Sequence, residues 1–298
     1  MTCMPLSRRI WCAAVLVACM TPIAAGAAPF ASNRITVQTE GTGPDVVLIP
    51  GLNSSPRAWT TTVAAMPGYR FHLVQVAGFG GAPAGGNQAG DVAAPVAEEV
   101  ARYISERGLK RPAVIGHSMG GTIGLMLAAR HPDALSRLMV VDMVPALGAM
   151  FAAPGATPAQ VEAVGDRIAA AMRSANPAQR TAGATETING MVGNVAMRPG
   201  ALTDSLASDT SVSARAFREL IVTNLGPELG KITVPVTVLY VHPKGVPMTA
   251  EQFDGVYKSV YAPLAGVLLK RIPDSAHFIM WDQPQRFQAE VKAFLGQR

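Results

Sequence analysis

The run Ala113-Val114-Ile115-Gly116-His117-Ser118-Met119-Gly120-Gly121 constrains the fold more than any other part of this chain. Three apolar residues lead into Gly-x-Ser-x-Gly, and a helix-compatible run from Thr122 to Arg130 follows. That order reads as strand, tight turn, helix. A serine at such a turn is held in unusual backbone geometry and projects from the carboxyl edge of a sheet. Glycines flank it because a Cβ at either position would collide with the neighbouring strand and helix.

The same alternation recurs along the chain. Ile35 to Thr39 reads as an opening strand, Asp45 to Pro50 as a short apolar strand, and Phe71 to Val76 as another. Val92, Val96, Val100 and Ile104 recur every four residues and predict a helix, with Gly108 as its stop. Leu138 to Val141 is the strand after the serine turn, and it ends at Asp142. From about Val144 to Gly230 no good strand is seen, and two helical stripes stand out. One is Val161, Val164, Ile168 and Met172 behind a Thr157-Pro158 start, and the other is Phe217, Leu220, Ile221 and Leu225. Strands resume at Val234 to Val241 and Gly266 to Ile272, and Phe287, Val291, Phe294 and Leu295 predict a closing helix. The expected architecture is α/β, a mostly parallel sheet with helices on both faces and a helical insertion. The division reads as 28–142 and 231–298 for the sheet domain and 143–230 for the insertion.

The first 27 residues read as a secretory signal. Arg8 and Arg9 precede the apolar stretch Ile10 to Ala18, and small residues follow up to Ala27. Cleavage after Ala27 gives a periplasmic or secreted protein. Leu16-Val17-Ala18-Cys19 also fits a lipoprotein signal that would acylate Cys19, and retention as an anchor is the third possibility. The chain's 3 cysteines, Cys3, Cys12 and Cys19, all lie in this segment, so cleavage excludes disulfides and thiol chemistry from the mature protein. The net charge is +5, two units of it from Arg8 and Arg9, and the remaining cations form no stripe, so nucleic acid is not an expected partner.

Four segments carry a family resemblance. They are Ile49-Pro50-Gly51-Leu52-Asn53-Ser54-Ser55, Ala77-Gly78-Phe79-Gly80, Gly116-His117-Ser118-Met119-Gly120 and Ile272-Pro273-Asp274-Ser275-Ala276-His277-Phe278. In this order they resemble the oxyanion loop, the glycine-aromatic turn, the nucleophile elbow and the catalytic-histidine loop of the α/β-hydrolase family. The insertion falls where that family places its cap. The resemblance implies a serine hydrolase with backbone N–H groups of Leu52 and Met119 as the oxyanion donors.

A serine hydroxyl needs a base to take its proton. Among His72, His117, His131, His242 and His277, only His277 follows an apolar strand and a short loop, and it follows Ser118 in the nucleophile, acid, histidine order of this fold. His117 is expected to pack beside the elbow, His131 to end a helix, and His72 to sit in the sheet. Many relatives place the acid after the strand corresponding to Val236 to Val241, but His242-Pro243-Lys244-Gly245-Val246-Pro247 holds no carboxylate. Asp142 is the first choice for the acid, Asp254 and Glu251 are the alternatives, and a Ser–His dyad stays open. Asn53, Ser54 and Ser55 read either as further donors or as turn residues. Asp282 with Gln285 reads as a helix-start capping box, and Asp274 as a turn former. Met143, Met150, Met172, Met191 and Met197 fit either an adaptable pocket or ordinary packing.

No cofactor or metal is expected. The leading expectation is an exported serine hydrolase acting on a small or medium carboxylic ester. A lactonase, amidase, peptidase or perhydrolase on the same residues is the second reading, and a non-catalytic ligand-binding protein the third. A membrane partner is expected only if Cys19 is lipidated or the signal is retained. Oligomeric state is left open.

Overall fold

The computed structural model describes residues 1–2 and 30–296. The signal segment, Cys19 and the cleavage position after Ala27 lie outside the described residues. Seven strands form one sheet: β1 (Ile35–Gly41), β2 (Asp45–Ile49), β3 (Arg70–Val76), β4 (Ala113–His117), β5 (Arg137–Val141), β6 (Val236–Tyr240) and β7 (Leu268–Arg271). Their spatial order is β1-β3-β2-β4-β5-β6-β7. β1 pairs antiparallel with β3, and every other pairing is parallel.

The helices are α1 (Thr60–Ala64), α2 (Ala93–Glu106), α3 (Met119–Arg130), α4 (Pro158–Ser174), α5 (Pro177–Met191), α6 (Arg198–Ala207), α7 (Thr210–Val222), α8 (Ala250–Val260), α9 (Ile279–Asp282) and α10 (Pro284–Gly296). Side chains alternate across the sheet because strands have a period of two. Val47 and Ile49 of β2 therefore pack with Val96, Val100 and Ile104 of α2 and with α3 on one face. Val46 and Leu48 pack with Trp59 and with Phe287, Val291 and Phe294 of α10 on the other. With both faces covered, β4 at the centre is buried at every position.

Helices α4–α7 fill the chain between β5 and β6. Thr157 starts α4 with a reciprocal side-chain cap to Gln160, the arrangement that its Thr-Pro start encodes. The five methionines do not share one environment: Met143 is buried in the sheet core, while Met150 and Met191 are exposed. The Asp282–Gln285 capping box does not form. Asp282 instead closes α9, and α10 starts at Pro284.

The inserted helices are fastened to the sheet domain by backbone groups. Helix α2 begins at Val92 without a side-chain cap of its own. Its first N–H groups donate to Glu219 of α7: Val92 and Ala93 to Oε2 at 2.6 Å each, and Ala94 to Oε1 at 2.7 Å. A carboxylate is favoured there because orphan N–H groups and the helix dipole both meet it. Burial pushes the Glu219 carboxyl up, and the three N–H bonds oppose that shift. Next to it, Asp209 N–H donates to the Gly78 carbonyl at 2.7 Å, and Arg215 Nη2 to the Asn87 carbonyl at 2.7 Å. In Glu219→Gln an amide N–H faces one of the α2 donors. Stability is expected to drop by about 1–3 kcal/mol in chemical denaturation, the usual cost of a buried unsatisfied donor.

Candidate active site

The turn at Ser118 is forced by packing. A Cβ on Gly116 would strike the Gly120 carbonyl, and a Cβ on Gly120 would strike the Ile49 carbonyl, with Pro50 O next at 2.8 Å. Helix α3 can therefore begin hard against the ends of β2 and β4 only with glycine at both positions. Ser118 then adopts φ 53° and ψ −121°, outside the regions that L-residues favour. Such a conformation costs about 1–3 kcal/mol and persists only where its surroundings enforce it. The Ser118 N–H extends the β4–β5 pairing by donating to Val141 O at 2.9 Å. The backbone after β2 passes beside the same residue: a Cβ on Gly51 would sit 3.1 Å from Ser118 Cβ. Leu52 follows directly, and Met119 is the first residue of α3. Both N–H groups thus lie on the backbone that frames the serine.

Asp142 ends β5 in a second left-handed turn, φ 52°, with its N–H on Leu239 O at 2.7 Å. Its carboxylate is divided between two partners. Oδ1 accepts from Val241 N–H at 3.0 Å, and Oδ2 lies 2.6 Å from His277 Nδ1. Tyr257 Oη approaches Oδ1 at 3.5 Å, and burial and then this carboxylate's charge push the Tyr257 phenol well above its usual range. The Asp142 bond occupies His277 Nδ1 and leaves Nε2 for a hydroxyl, the tautomer that general-base work requires.

The other carboxylates serve elsewhere. Asp254 Oδ1 accepts from Tyr240 Oη at 2.7 Å and pairs with Arg271 at 2.9 Å; burial raises its carboxyl, and these bonds together overcome that and hold it low. Glu251 lies in the first turn of α8 on the surface. Neither is brought to His277. After Leu52, Ser54 Oγ turns back to the Leu52 carbonyl at 3.3 Å, while Asn53 and Ser55 reach the inserted helices. Asn53 Oδ1 meets Ser213 Oγ of α7 at 2.5 Å, and Ser55 Oγ donates to Asp204 of α6 at 2.6 Å. They tether the loop to the insertion, a role that neither of the two expectations for them included. Asp274 has φ 56° and makes the turn before the histidine.

Of the four remaining histidines, His242 packs its ring against Phe253 at 5.2 Å, and its buried Nε2 has no hydrogen-bond partner among the described residues. His72 is buried in β3, between Tyr103 Oη at 2.7 Å and Asp45 Oδ1 at 2.8 Å. His131 ends α3 and meets Glu98 at 2.7 Å. His117 is fully buried against the His277 and Phe278 rings, both centroids at 4.6 Å. Its Nε2 lies 3.1 Å from the His277 carbonyl, so Nε2 donates and Nδ1 carries no proton. That Nδ1 has no hydrogen-bond partner among the described residues and faces Gly51. Sequence reading placed His117 beside the elbow but missed its bond to the histidine loop, because only the fold brings residues 117 and 277 together. Among the described residues, no group of three or more His, Cys, Asp or Glu could hold a metal ion.

Burial, and then the charge of His277, hold His117 well below the usual histidine value of 6.5. The unfolded chain takes up a proton near 6.5 that folded His117 refuses. Stability is therefore present above that value and is lost as pH falls below it. His72, pushed down by burial, adds the same sign. The urea midpoint is expected to fall from neutral pH to about pH 5, and His117→Gln to flatten part of that fall.

Comparison with known proteins follows the same outline. Residues 46–290 match the family model described as the alpha/beta hydrolase family. A pimeloyl-[acyl-carrier protein] methyl ester esterase of Vibrio vulnificus is 24% identical over 280 residues, covering 89% of this chain and 99% of that protein. The protein of the same name from Aeromonas hydrophila is 35% identical over 126 residues, 42% of this chain and 47% of that protein. At about a third identity, the chain spans less than half the length of the curated relatives it matches. A solved hydrolase structure from Pseudomonas aeruginosa superposes with a TM-score of 0.72 at 19% identity, covering 88% of this chain and 94% of that one. At that identity the likeness speaks for the fold alone.

Proposed function

Because the chain belongs to the alpha/beta hydrolase family, we propose that it is a serine esterase working through Ser118, His277 and Asp142. One observation carries the reading: the 2.6 Å bond from His277 Nδ1 to Asp142, at the same sheet edge as a Ser118 with φ 53°. His277 Nε2 takes the Ser118 proton as Oγ attacks the ester carbonyl. The imidazolium is balanced by the Asp142 charge, which Val241 N–H holds in place. The tetrahedral oxyanion is met by the N–H groups of Leu52 and Met119, which cost no reorganisation because the backbone fixes them. His277 returns the proton to the departing alcohol, leaving an acyl group on Ser118. Water, activated by the same imidazole, then releases the acid. The relatives named as methyl ester esterases support ester chemistry. The helices between Asp142 and Val236 stand in the chain where a cap over the site belongs, and the substrate class we propose is a small or medium ester. We further propose export, on the strength of the basic and apolar start of the sequence, with a soluble periplasmic or secreted product or one anchored through Cys19.

A chain-length series of p-nitrophenyl esters tests the reading. Turnover is expected from the wild type and not from Ser118→Ala. Asp142→Asn is expected to lower kcat about 1,000-fold or more, as a lost histidine-orienting carboxylate does. Asp254→Asn is expected to stay close to wild type. Equal turnover by Ser118→Ala, or a collapse in Asp254→Asn alone, would overturn the assignment.

A further inference from the structure

The loop that carries His277 is short and irregular, yet three consecutive residues in it are held by three different parts of the chain. Ala276 N–H donates to Asp282 Oδ2 at 2.8 Å. The His277 carbonyl accepts from His117 Nε2 at 3.1 Å. Phe278 N–H donates to the Met191 carbonyl, at the end of α5, at 3.1 Å.

The Asp282 carboxylate also reaches beyond its own turn. Oδ2 accepts from Gly193 N–H at 3.0 Å, and Oδ1 from Asn194 N–H at 2.8 Å. Residues 193 and 194 lie in the link between α5 and α6. One half-buried carboxylate thus joins the histidine loop to the inserted helices through three backbone donors. Asn194 Nδ2 doubles the joint by donating to Trp281 O at 3.2 Å. Glycine at 193 makes room for it, since a Cβ there would lie 2.9 Å from Oδ2 and 3.1 Å from Cγ.

We propose that Asp282 is a positioning residue for the reaction: it sets the path of the backbone at Ala276 so that His277 meets Asp142 and Ser118 together. The proposal rests on the serine-esterase reading for the meaning of that alignment. An ionised acceptor holds N–H groups about twice as firmly as a neutral one. The demand for precision is high, because a displacement of about 1 Å at a reacting group costs on the order of 100-fold in rate. No neutral side chain of the same size serves all three donors. In Asp282→Asn one oxygen becomes an NH2 that faces a backbone N–H.

The test compares Asp282→Asn and Gly193→Ala with the wild type and with Glu219→Gln, whose lost bonds lie away from the histidine loop. Three readouts are taken: kcat and KM for p-nitrophenyl acetate, thermal unfolding, and the low-field proton resonance of the His277–Asp142 hydrogen bond. Asp282→Asn is expected to lower kcat about 10- to 100-fold with KM within about twofold. Its low-field resonance is expected to broaden or vanish. Gly193→Ala, which displaces the carboxylate without changing its charge, is expected to show the same pattern more weakly. Glu219→Gln is expected to lose stability while keeping kcat and the resonance. A folded Asp282→Asn with wild-type kcat and resonance would overturn the proposal, as would a loss of activity that merely follows the unfolded fraction in all three variants. If Asp282→Asn does not fold, Gly193→Ala decides. Absence of Ser118-dependent turnover in the wild type would instead count against the esterase reading, and the resonance alone would then decide the positioning role.

Discussion

The packing of α3 against the ends of β2 and β4 governs the site. Gly116 and Gly120 let backbone meet backbone at distances that no side chain permits. Ser118, caught between them, has no ordinary conformation open to it. The strain, about 1–3 kcal/mol, is small beside the burial of a fully covered central strand. The same contact fixes two more things. It starts α3 at Met119, so that N–H points out of the helix beside the serine, and it brings Gly51 against Ser118 Cβ. The serine and the two backbone N–H groups beside it are thus set by one close approach.

A second theme is the use of carboxylates as acceptors for backbone and hydroxyl donors from distant segments. Asp142 takes the N–H of Val241, just past β6, while it bonds His277 Nδ1. Glu219 caps α2 from the inserted helices, Asp204 takes the hydroxyl of Ser55 in the loop after β2, and Asp282 joins the histidine loop to the link between α5 and α6. The insertion is thereby tied to the loops on both sides of Ser118. In a chain with few charged residues, these ionised acceptors do work that a larger set of neutral bonds would otherwise have to share.

The serine turn, the strand order along the chain and the main helical stripes were legible in the sequence because they rest on local constraints. These are a glycine pattern with a steric cause, and apolar periods of two and of about four. The pairing of His277 with one carboxylate was less legible. Asp142, Asp254 and Glu251 all stood within reach of the chain order, and only the sheet register separates them. That register places Asp142 at the β5 edge beside the serine and turns Asp254 toward Tyr240 and Arg271. Asp282 was misread because its spacing to Gln285 fits a local cap, whereas its partners are N–H groups at 193, 194 and 276. Backbone donors leave no mark on residue identity, so such a joint has no sequence signal beyond Gly193. Asn53 and Ser55 were ambiguous for a different reason: their side-chain partners, Ser213 and Asp204, are 160 and 149 residues away in the chain.

In the proposed mechanism Ser118 becomes covalently acylated during turnover. The most direct test is rapid acid quenching of the enzyme with excess p-nitrophenyl acetate, followed by peptide mass spectrometry. An acetyl group is expected on the Ser118 peptide within the first turnover, and no such adduct in Ser118→Ala. Sustained ester cleavage with an unmodified Ser118 peptide at every quench time, or acetylation confined to another residue, would contradict it.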